Sequence, residues 1–354
     1  MRSSVANPTA TVRRNGTTLE QVALRAGVSR ATVSRVVNDS PRVSPEVRRQ
    51  VEIAIQQLGY VPNRAARSLV TRRSDSIGVI IAEPAGLLFS DPFFPSLLRG
   101  ISAALSARDL QLVLLMPSSP SETHRTGDYL AAGHVDGALM VSLHDDDPLP
   151  IRMAAARIPM VVSPRPRRPL SLSYVDVDNR GGAHSAVAHL AGRGCRVIGT
   201  VAGPTDMAPG VDRLGGYRDA LVEAGLGTDP SLEVVGDFTQ AGGAAAMERL
   251  LAARPDIDAV FAASDLMAAG ALTVLTAAGR RVPEDVALVG YDDSPVATTT
   301  QPTLTSVRQP IEEMGQEMAR LLIDAIEGSD RAPRRMILAT ELIERASSAG
   351  RRMP

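Results

Sequence analysis

From Ile77 onward the chain alternates strand-sized apolar runs with longer amphipathic stretches, and this alternation restricts what it can become. The runs are Ile77–Ala82, Leu110–Leu115, Val135–Val141, Met160–Val162, Val197–Val201, Ala259–Ala262 and Val286–Val289. Helical periodicity lies between them, near 95–108, 181–192, 214–224, 241–253, 265–278 and 311–327. Short apolar runs separated by helix-length segments mark parallel strands joined by crossover helices. The expected class is α/β, with open parallel sheets covered by helices on both faces. About 260 residues is large for one such sheet. Two similar subdomains facing a cleft suit that length better.

Ahead of this body, residues 18–58 read as three short helices. Thr18-Leu19-Glu20-Gln21 is a capping box, in which hydroxyl and amide side chains satisfy orphan backbone groups reciprocally. Gly27 supplies a left-handed stop. Ser29 caps a second helix that runs to about Val37 and ends at Asn38, and Ser44-Pro45 opens a third that stops at Gly59. Leu19, Val22, Ala23, Val33, Val36, Val37, Val47, Val51, Ile55 and Leu58 recur at three- and four-residue spacings and predict one small core. Pro62 breaks the chain, Asn63–Val70 is a short helical candidate, and Arg72 to Ser76 reads as a linker.

Charge separates the two parts. The formal net charge is −1, but residues 1–74 hold 13 Arg against 4 acids, a net +9, while the remainder nets −10. A basic head on an acidic body points to nucleic acid or a membrane surface. The polar start contains no apolar leader, and no apolar run reaches membrane-spanning length, so a cytoplasmic protein is expected. The single cysteine, Cys195, excludes a disulfide framework and a multi-cysteine zinc site. It precedes a strand and reads as a small buried hydrophobe.

Helix, tight turn and a second helix rich in Arg, Ser and Thr is a shape that enters the DNA major groove. With Val33, Val36 and Val37 turned to the core, Ser29, Arg30, Ala31, Ser34 and Arg35 are left exposed. Arg can fork onto guanine, and Ser and Thr can bond phosphates or bases. The alternative at this point is an inert bundle that its arginines keep soluble.

In the body, ligands of open α/β sheets gather beyond the carboxyl ends of strands. Those positions hold Asp91-Pro92-Phe93-Phe94, Gly210-Val211-Asp212-Arg213-Leu214, Asp237-Phe238, Ser264-Asp265 and Tyr291-Asp292-Asp293. Carboxylates, one Arg and scarce aromatics at one rim suit a small polyhydroxylated ligand. His124, His134 and His144 have no short pairing and no nearby cysteine, so no metal is expected. Gly192-Arg193-Gly194 ends a helix and is no dinucleotide loop. No nucleophile elbow, Walker loop or His-Glu-x-x-His occurs, so neither an enzyme nor a cofactor is expected. Pro164 to Pro169 reads as an exposed loop.

Thr18-Leu19-Glu20-Gln21-Val22-Ala23, Ala26-Gly27-Val28-Ser29, Thr32-Val33-Ser34-Arg35-Val36-Val37-Asn38 and Gly59-Tyr60-Val61-Pro62-Asn63-Arg64-Ala65-Ala66 closely resemble the DNA-binding head of the lactose-repressor (LacI/GalR) family. The likeness runs from about Thr18 to Ser347. It implies a helix-turn-helix head on a body similar to periplasmic binding proteins, with two doubly wound parallel-sheet subdomains. The implied divisions are an arm over 1–17, a head over 18–62, a hinge helix and linker over 63–76, a body over 77–345 and a polar tail over 346–354. Within the body the implied subdomains are 77–175 plus 307–332 and 176–306 plus 333–345.

The resemblance also implies DNA contacts from Thr18, Ser29, Arg30, Ala31, Thr32, Ser34, Arg35, Asn38, Tyr60, Asn63, Arg64, Ala66, Arg67 and Leu69. Leu69 falls at the position that wedges between bases in the minor groove and bends the duplex. Arg30 and Ala31 fall where members differ and choose the operator. Effector contacts are implied for Asp91, Phe94, Arg213, Phe238, Ser264, Asp265 and Asp292, with Asp178 at a subdomain crossing or the ligand rim. Ser264 departs from the Asn common at that position, Asp265 could equally cap the following helix, and Asp293 reads as structural.

The implied function is a homodimeric transcriptional repressor on a pseudo-palindromic operator, controlled by a small molecule that is a sugar or sugar derivative. Control by a nucleobase-type corepressor is the alternative, and a solute-binding protein without DNA function is a further one.

Overall fold

The computed structural model describes residues 17–37, 40–60, 73–328 and 332–349, and the chain divides into two units after Ser74. In the first unit the punctuation read from the sequence sets the helix ends. α1 spans Leu19–Ala26, with the Thr18 hydroxyl accepting from Gln21 N–H and the Gln21 side chain accepting from Thr18 N–H at 2.9 Å. Gly27 ends it at φ 65°. α2 is Arg30–Val37, with Ser29 Oγ accepting from Thr32 N–H at 3.1 Å. α3 is Pro45–Leu58, capped by Ser44 and closed by Gly59 at φ 58°. Val22, Val33, Val36, Val51 and Ala54 form the core of this unit, and Tyr60 packs with them.

The second unit holds two six-stranded sheets. The first contains β1 (Ser76–Ile81), β2 (Gln111–Leu115), β3 (Gly137–Val141), β4 (Met160–Ser163), β5 (Ser173–Val177) and β11 (Arg335–Leu338), in the order β11-β5-β4-β3-β1-β2. Its pairings are all parallel. The second contains β6 (Ile198–Ala202), β7 (Glu233–Val235), β8 (Ala259–Ala262), β9 (Ala287–Asp292), β10 (Thr305–Arg308) and β12 (Glu341–Ile343). Its order is β12-β10-β9-β8-β6-β7, and only the β10–β12 pairing is antiparallel. The two sheets therefore repeat one doubly wound order, 2-1-3-4-5, each with an added edge strand.

The core follows from strand alternation. Ile77, Val79 and Ile81 of β1 join one apolar cluster, and Ile80 joins the cluster on the opposite face. In β8, Val260 and Ala262 face one way while Ala259 and Phe261 face the other. Helices cover both faces. α4 (Ala85–Ser90), α5 (Phe93–Ser106), α6 (Pro120–Ala131), α7 (Leu149–Ala155) and α13 (Ile311–Glu327) belong to the first sheet. α8 (Asn179–Gly192), α9 (Ala208–Glu223), α10 (Gln240–Ala253), α11 (Asp265–Ala277) and the short α12 (Pro295–Thr299) belong to the second. α5 and α13 pack backbone to backbone, since a Cβ on Gly100 would lie 2.0 Å from Glu312 O.

Two expectations change. The subdomain divisions expected at 175/176, 306/307 and 332/333 fall later along the chain. β5 stays in the first sheet to Val177, β10 lies wholly in the second, and β11 returns to the first, so the crossings lie at 178, 309–310 and 339–340. The added strands are short and polar or half-exposed, which hid them from an apolar-run reading. The polar tail expected from 346 is also built in: Ser347 and Ser348 are fully buried, and Ser347 N–H donates to Thr303 O at 2.9 Å. The expected hinge helix, Asn63–Val70, lies outside the described residues, and of the hinge and linker over 63–76 only 73–76 is described.

Candidate functional site

Each sheet reverses its strand order between its first and third strands, and loops diverge there to leave a crevice at the carboxyl ends. In the second unit the two crevices face each other across a cleft of about 650 Å³. The first subdomain lines it with Glu83, Leu87, Asp91, Phe93, Phe94, Ser142, Ser163, Pro164, Asp176 and Met314. Asn179, Met207, Pro209, Arg213, Phe238, Ser264 and Asp292 line it from the second, and Gln309 from a crossing.

Arg213 is the buried cation of this cleft, at 4% exposure. It projects from α9, which begins at Ala208, earlier than the helix expected near 214. Its Nε donates to Asn179 Oδ1 at 2.8 Å and its Nη1 to Ala263 O at 2.6 Å. The guanidinium lies 3.7 Å from the centroid of the Tyr291 ring and 5.8 Å from that of Phe238. Asp292 Oδ1 stands 3.6 Å from Nη1 and accepts from Gln309 Nε2. A planar cation held by stacking and hydrogen bonds is pre-aimed and needs little reorganisation to bind a ligand.

Carboxylates outnumber it. Burial raises the proton affinity of Asp91, Asp176 and Asp292, with nearby Arg213 opposing the shift at Asp292 and a Phe93 N–H opposing it at Asp91. Phe238 and Asp292 hold φ of 64° and 109°, sparsely populated conformations for non-glycine residues that the surrounding structure enforces. Gly203 makes room for the Phe238 ring, because a Cβ there would lie 2.4 Å from Cζ. The cleft thus offers carboxylate acceptors, one forked donor and apolar faces from Phe238, Phe93, Phe94 and Leu87.

Of the expected effector contacts, Asp91, Phe94, Arg213, Phe238, Ser264 and Asp292 line this cleft and Asp265 does not. Asp265 is fully buried, with its oxygens accepting from Ser294 N–H at 2.7 Å and Ser306 Oγ at 2.6 Å. Ser264 caps α11 through Met267 N–H. Asp178 caps α8 from an exposed position, and Asp176 and Asn179 on either side line the cleft instead. Both were out of reach of the sequence reading because β5 was not recognised. Glu83 and Ser142 follow recognised strands and could have been found by the same end-of-strand rule that found Asp91.

The segment from Pro164 to Pro169, expected as an exposed loop, is a loop exposed at residues 167–169 that also joins the two rims. Arg165 Nη2 bonds both oxygens of Asp212 at 2.6 and 2.7 Å, and Arg167 Nη1 donates to Thr205 O at 2.7 Å. His144 lies on the same rim, His134 stacks on Tyr129 at 4.5 Å, and His124 neighbours Asp128. Among the described residues no group of three or more His, Cys, Asp or Glu is placed to hold a metal ion. Cys195 is buried. No described helix is long and apolar enough to cross a membrane.

In the first unit Thr18, Ser29, Arg30, Ala31 and Arg35 are exposed and Thr32 and Ser34 half-buried. Arg30 Nε pairs with Glu20 Oε1 at 3.0 Å. Tyr60, expected among the DNA contacts, is 8% exposed and serves the core. Asn38, Asn63, Arg64, Ala66, Arg67 and Leu69 lie outside the described residues.

Two family models match the chain: one for bacterial regulatory proteins of the lacI family over residues 18–63, and one for a periplasmic binding protein-like domain over 187–348. The HTH-type transcriptional regulator CelR of Thermobifida fusca is 53% identical over 337 residues, covering 95% of this chain and 99% of CelR. A solved CelR–cellobiose complex superposes with a TM-score of 0.76 at 51% identity, covering 94% of this chain and 99% of that one. The lac repressor dimer bound to operator and the anti-inducer ONPF superposes with a TM-score of 0.82 at 28% identity, covering 95% and 100%. With a helix-turn-helix head, a ligand cleft between repeated sheets and a relative this similar over nearly its whole length, the chain belongs to the lacI family of bacterial regulatory proteins.

Proposed function

We propose that this regulator is a homodimeric repressor that releases its operator when a β-linked glucose disaccharide of the cellobiose type fills the cleft. The observation that carries the reading is the cleft itself, with Arg213 fixed between Tyr291 and Asn179 and Phe238 presented beside it. Forked donors and carboxylates match vicinal hydroxyls, and aromatic and apolar faces match the flat hydrophobic side of a pyranose. The relative solved with cellobiose, alike over nearly the whole chain, supports a disaccharide of that kind. In the head, Arg30, Ala31 and Arg35 present an exposed face suited to base edges and phosphates.

Mechanistically, a ligand that touches both subdomains has a differential affinity for one arrangement of them, which is the requirement for shifting a regulator between DNA-binding and released populations. The test is operator binding by the full chain, using DNA selected from a random pool, with and without cellobiose. The expected outcome is a tenfold or greater loss of affinity with cellobiose, alongside calorimetric binding of the sugar. Indifference to cellobiose and other sugars, with tightening by a purine base, would replace the inducer by a corepressor.

A further inference from the structure

Glu83 follows β1 and lines the cleft, with 10% of its side chain exposed. Its recorded hydrogen bonds both go to one oxygen: Ser142 Oγ donates to Oε1 at 2.5 Å, and His144 Nε2 lies 3.0 Å from the same atom. The other face of the imidazole meets the opposite subdomain, where Nδ1 lies 2.7 Å from Asp206 Oδ2 on the loop after β6. We propose that His144 is a positioning residue of the effector cleft: gripped by Asp206 across the rim, it fixes Oε1 of Glu83 and leaves Oε2 to accept a hydroxyl of the bound ligand.

The geometry explains why a histidine stands there. A neutral imidazole has one N–H and one lone pair, so it can donate to only one of two carboxylates and repels the other. Donating to both Glu83 and Asp206 requires the imidazolium, and each carboxylate favours it. The His144 pKa is accordingly raised to about 9, chiefly by the bond to Glu83 and against its own burial. Other charges around the ring do not reverse this. Asp145, Asp146 and Asp147 share its loop, Arg167 is paired with Asp145, Arg165 with Asp212, and Arg152 and His124 on the neighbouring helices meet Asp128. When the rims part, Asp206 leaves, the imidazolium loses one of its two partners, and Glu83 keeps its bond from Ser142 but is held by a histidine no longer fixed from the far side. Contact between the rims and hydroxyl recognition are thereby coupled through one side chain.

This inference rests on the cleft being a carbohydrate site, so its test has one arm with ligand and one without. Calorimetry of the full chain with cellobiose is expected to show about a tenfold weaker affinity for His144→Gln. Asp206→Asn should weaken binding in the wild-type background and have no further effect once His144 is Gln. Wild-type affinity should fall as pH rises past about 9, where the imidazolium is lost, and the His144→Gln variant should lack that fall. The ligand-free arm is side-chain NMR of the five histidines, assigned by single substitutions. His144 should titrate near 9, and Asp206→Asn should lower it. An ordinary titration unmoved by Asp206→Asn, or wild-type affinity in His144→Gln, would overturn the proposal. Absence of cellobiose binding by the wild type, with the NMR result as expected, would instead overturn the disaccharide reading and support the bridge.

Discussion

At Asp292 a left-handed backbone, burial and a carboxylate facing Arg213 at 3.6 Å coincide, and each has an energetic consequence. Burial raises the pKa of this group above the usual carboxylate range, so the folded body favours its protonated form. The sign follows from linkage. A raised folded pKa gives stability that is present at low pH and lost as pH rises through it, whereas ligand hydroxyls donate best to the ionised carboxylate. Sugar affinity should therefore fall as the pH is lowered from neutral into the acidic range, and Asp292→Asn should bind about 10–100-fold more weakly with a flatter pH profile. Calorimetry across that range checks both, and an unchanged slope in the variant would assign the titration to another carboxylate. Arg213 and Asp292 were legible because each follows or neighbours a strong apolar strand, and Phe238 because it follows the short pair Val234-Val235. Asp265 was misplaced for the same reason: it occupies an end-of-strand position, yet its oxygens are used up by Ser294 and Ser306.

Elements were legible in proportion to how local their signals are. Caps such as Thr18, Ser44 and Gly59 act within one turn, so the three head helices can be read from single residues. β5, β10, β11 and β12 are defined by pairings across the body, and their sequences are short and mixed in polarity. Nothing local marks Thr305–Arg308 as a strand, because its partners are Val289–Asp292 and Glu341–Ile343. Missing these strands displaced the crossings and hid Asp176 and Asn179. The α9 entry depends on a similar tertiary constraint: a Cβ on Gly210 would lie 1.9 Å from Pro204 O, and one on Gly203 would strike the Phe238 ring. Gly203→Ala should push that ring aside, lowering sugar affinity about tenfold, and should lower the melting temperature by a few degrees through overpacking, at about 1–3 kcal/mol. Calorimetry and thermal unfolding read the two effects separately. Full affinity in the alanine variant would show that Phe238 does not need its present seat.

For the whole molecule, a net charge of −1 conceals a head at +9 and a body at −10. The basic unit suits phosphates, and the acidic one keeps nonspecific DNA affinity in the head. The body's acids do more than repel DNA, because several are partners in links across the cleft. Arg165 of the first subdomain meets Asp212 of the second, and His144 Nδ1 lies 2.7 Å from Asp206 Oδ2. A partly exposed Arg–carboxylate pair held through one guanidinium nitrogen contributes up to about 1 kcal/mol, which is at most about a fivefold bias toward rims in contact. Arg165→Ala should remove that bias, and because it also removes a cation 4.0 Å from the cleft carboxylate Asp176 the bias is read without ligand. Spin labels on Ser121→Cys and Glu248→Cys, one exposed site per subdomain, would measure it in the ligand-free chain, where the native Cys195 is buried. The variant should shift its distance distribution toward longer separations, and saturating cellobiose should restore the wild-type distribution. A distribution identical to wild type without ligand would show that the Arg165–Asp212 pair decorates the rim without holding it.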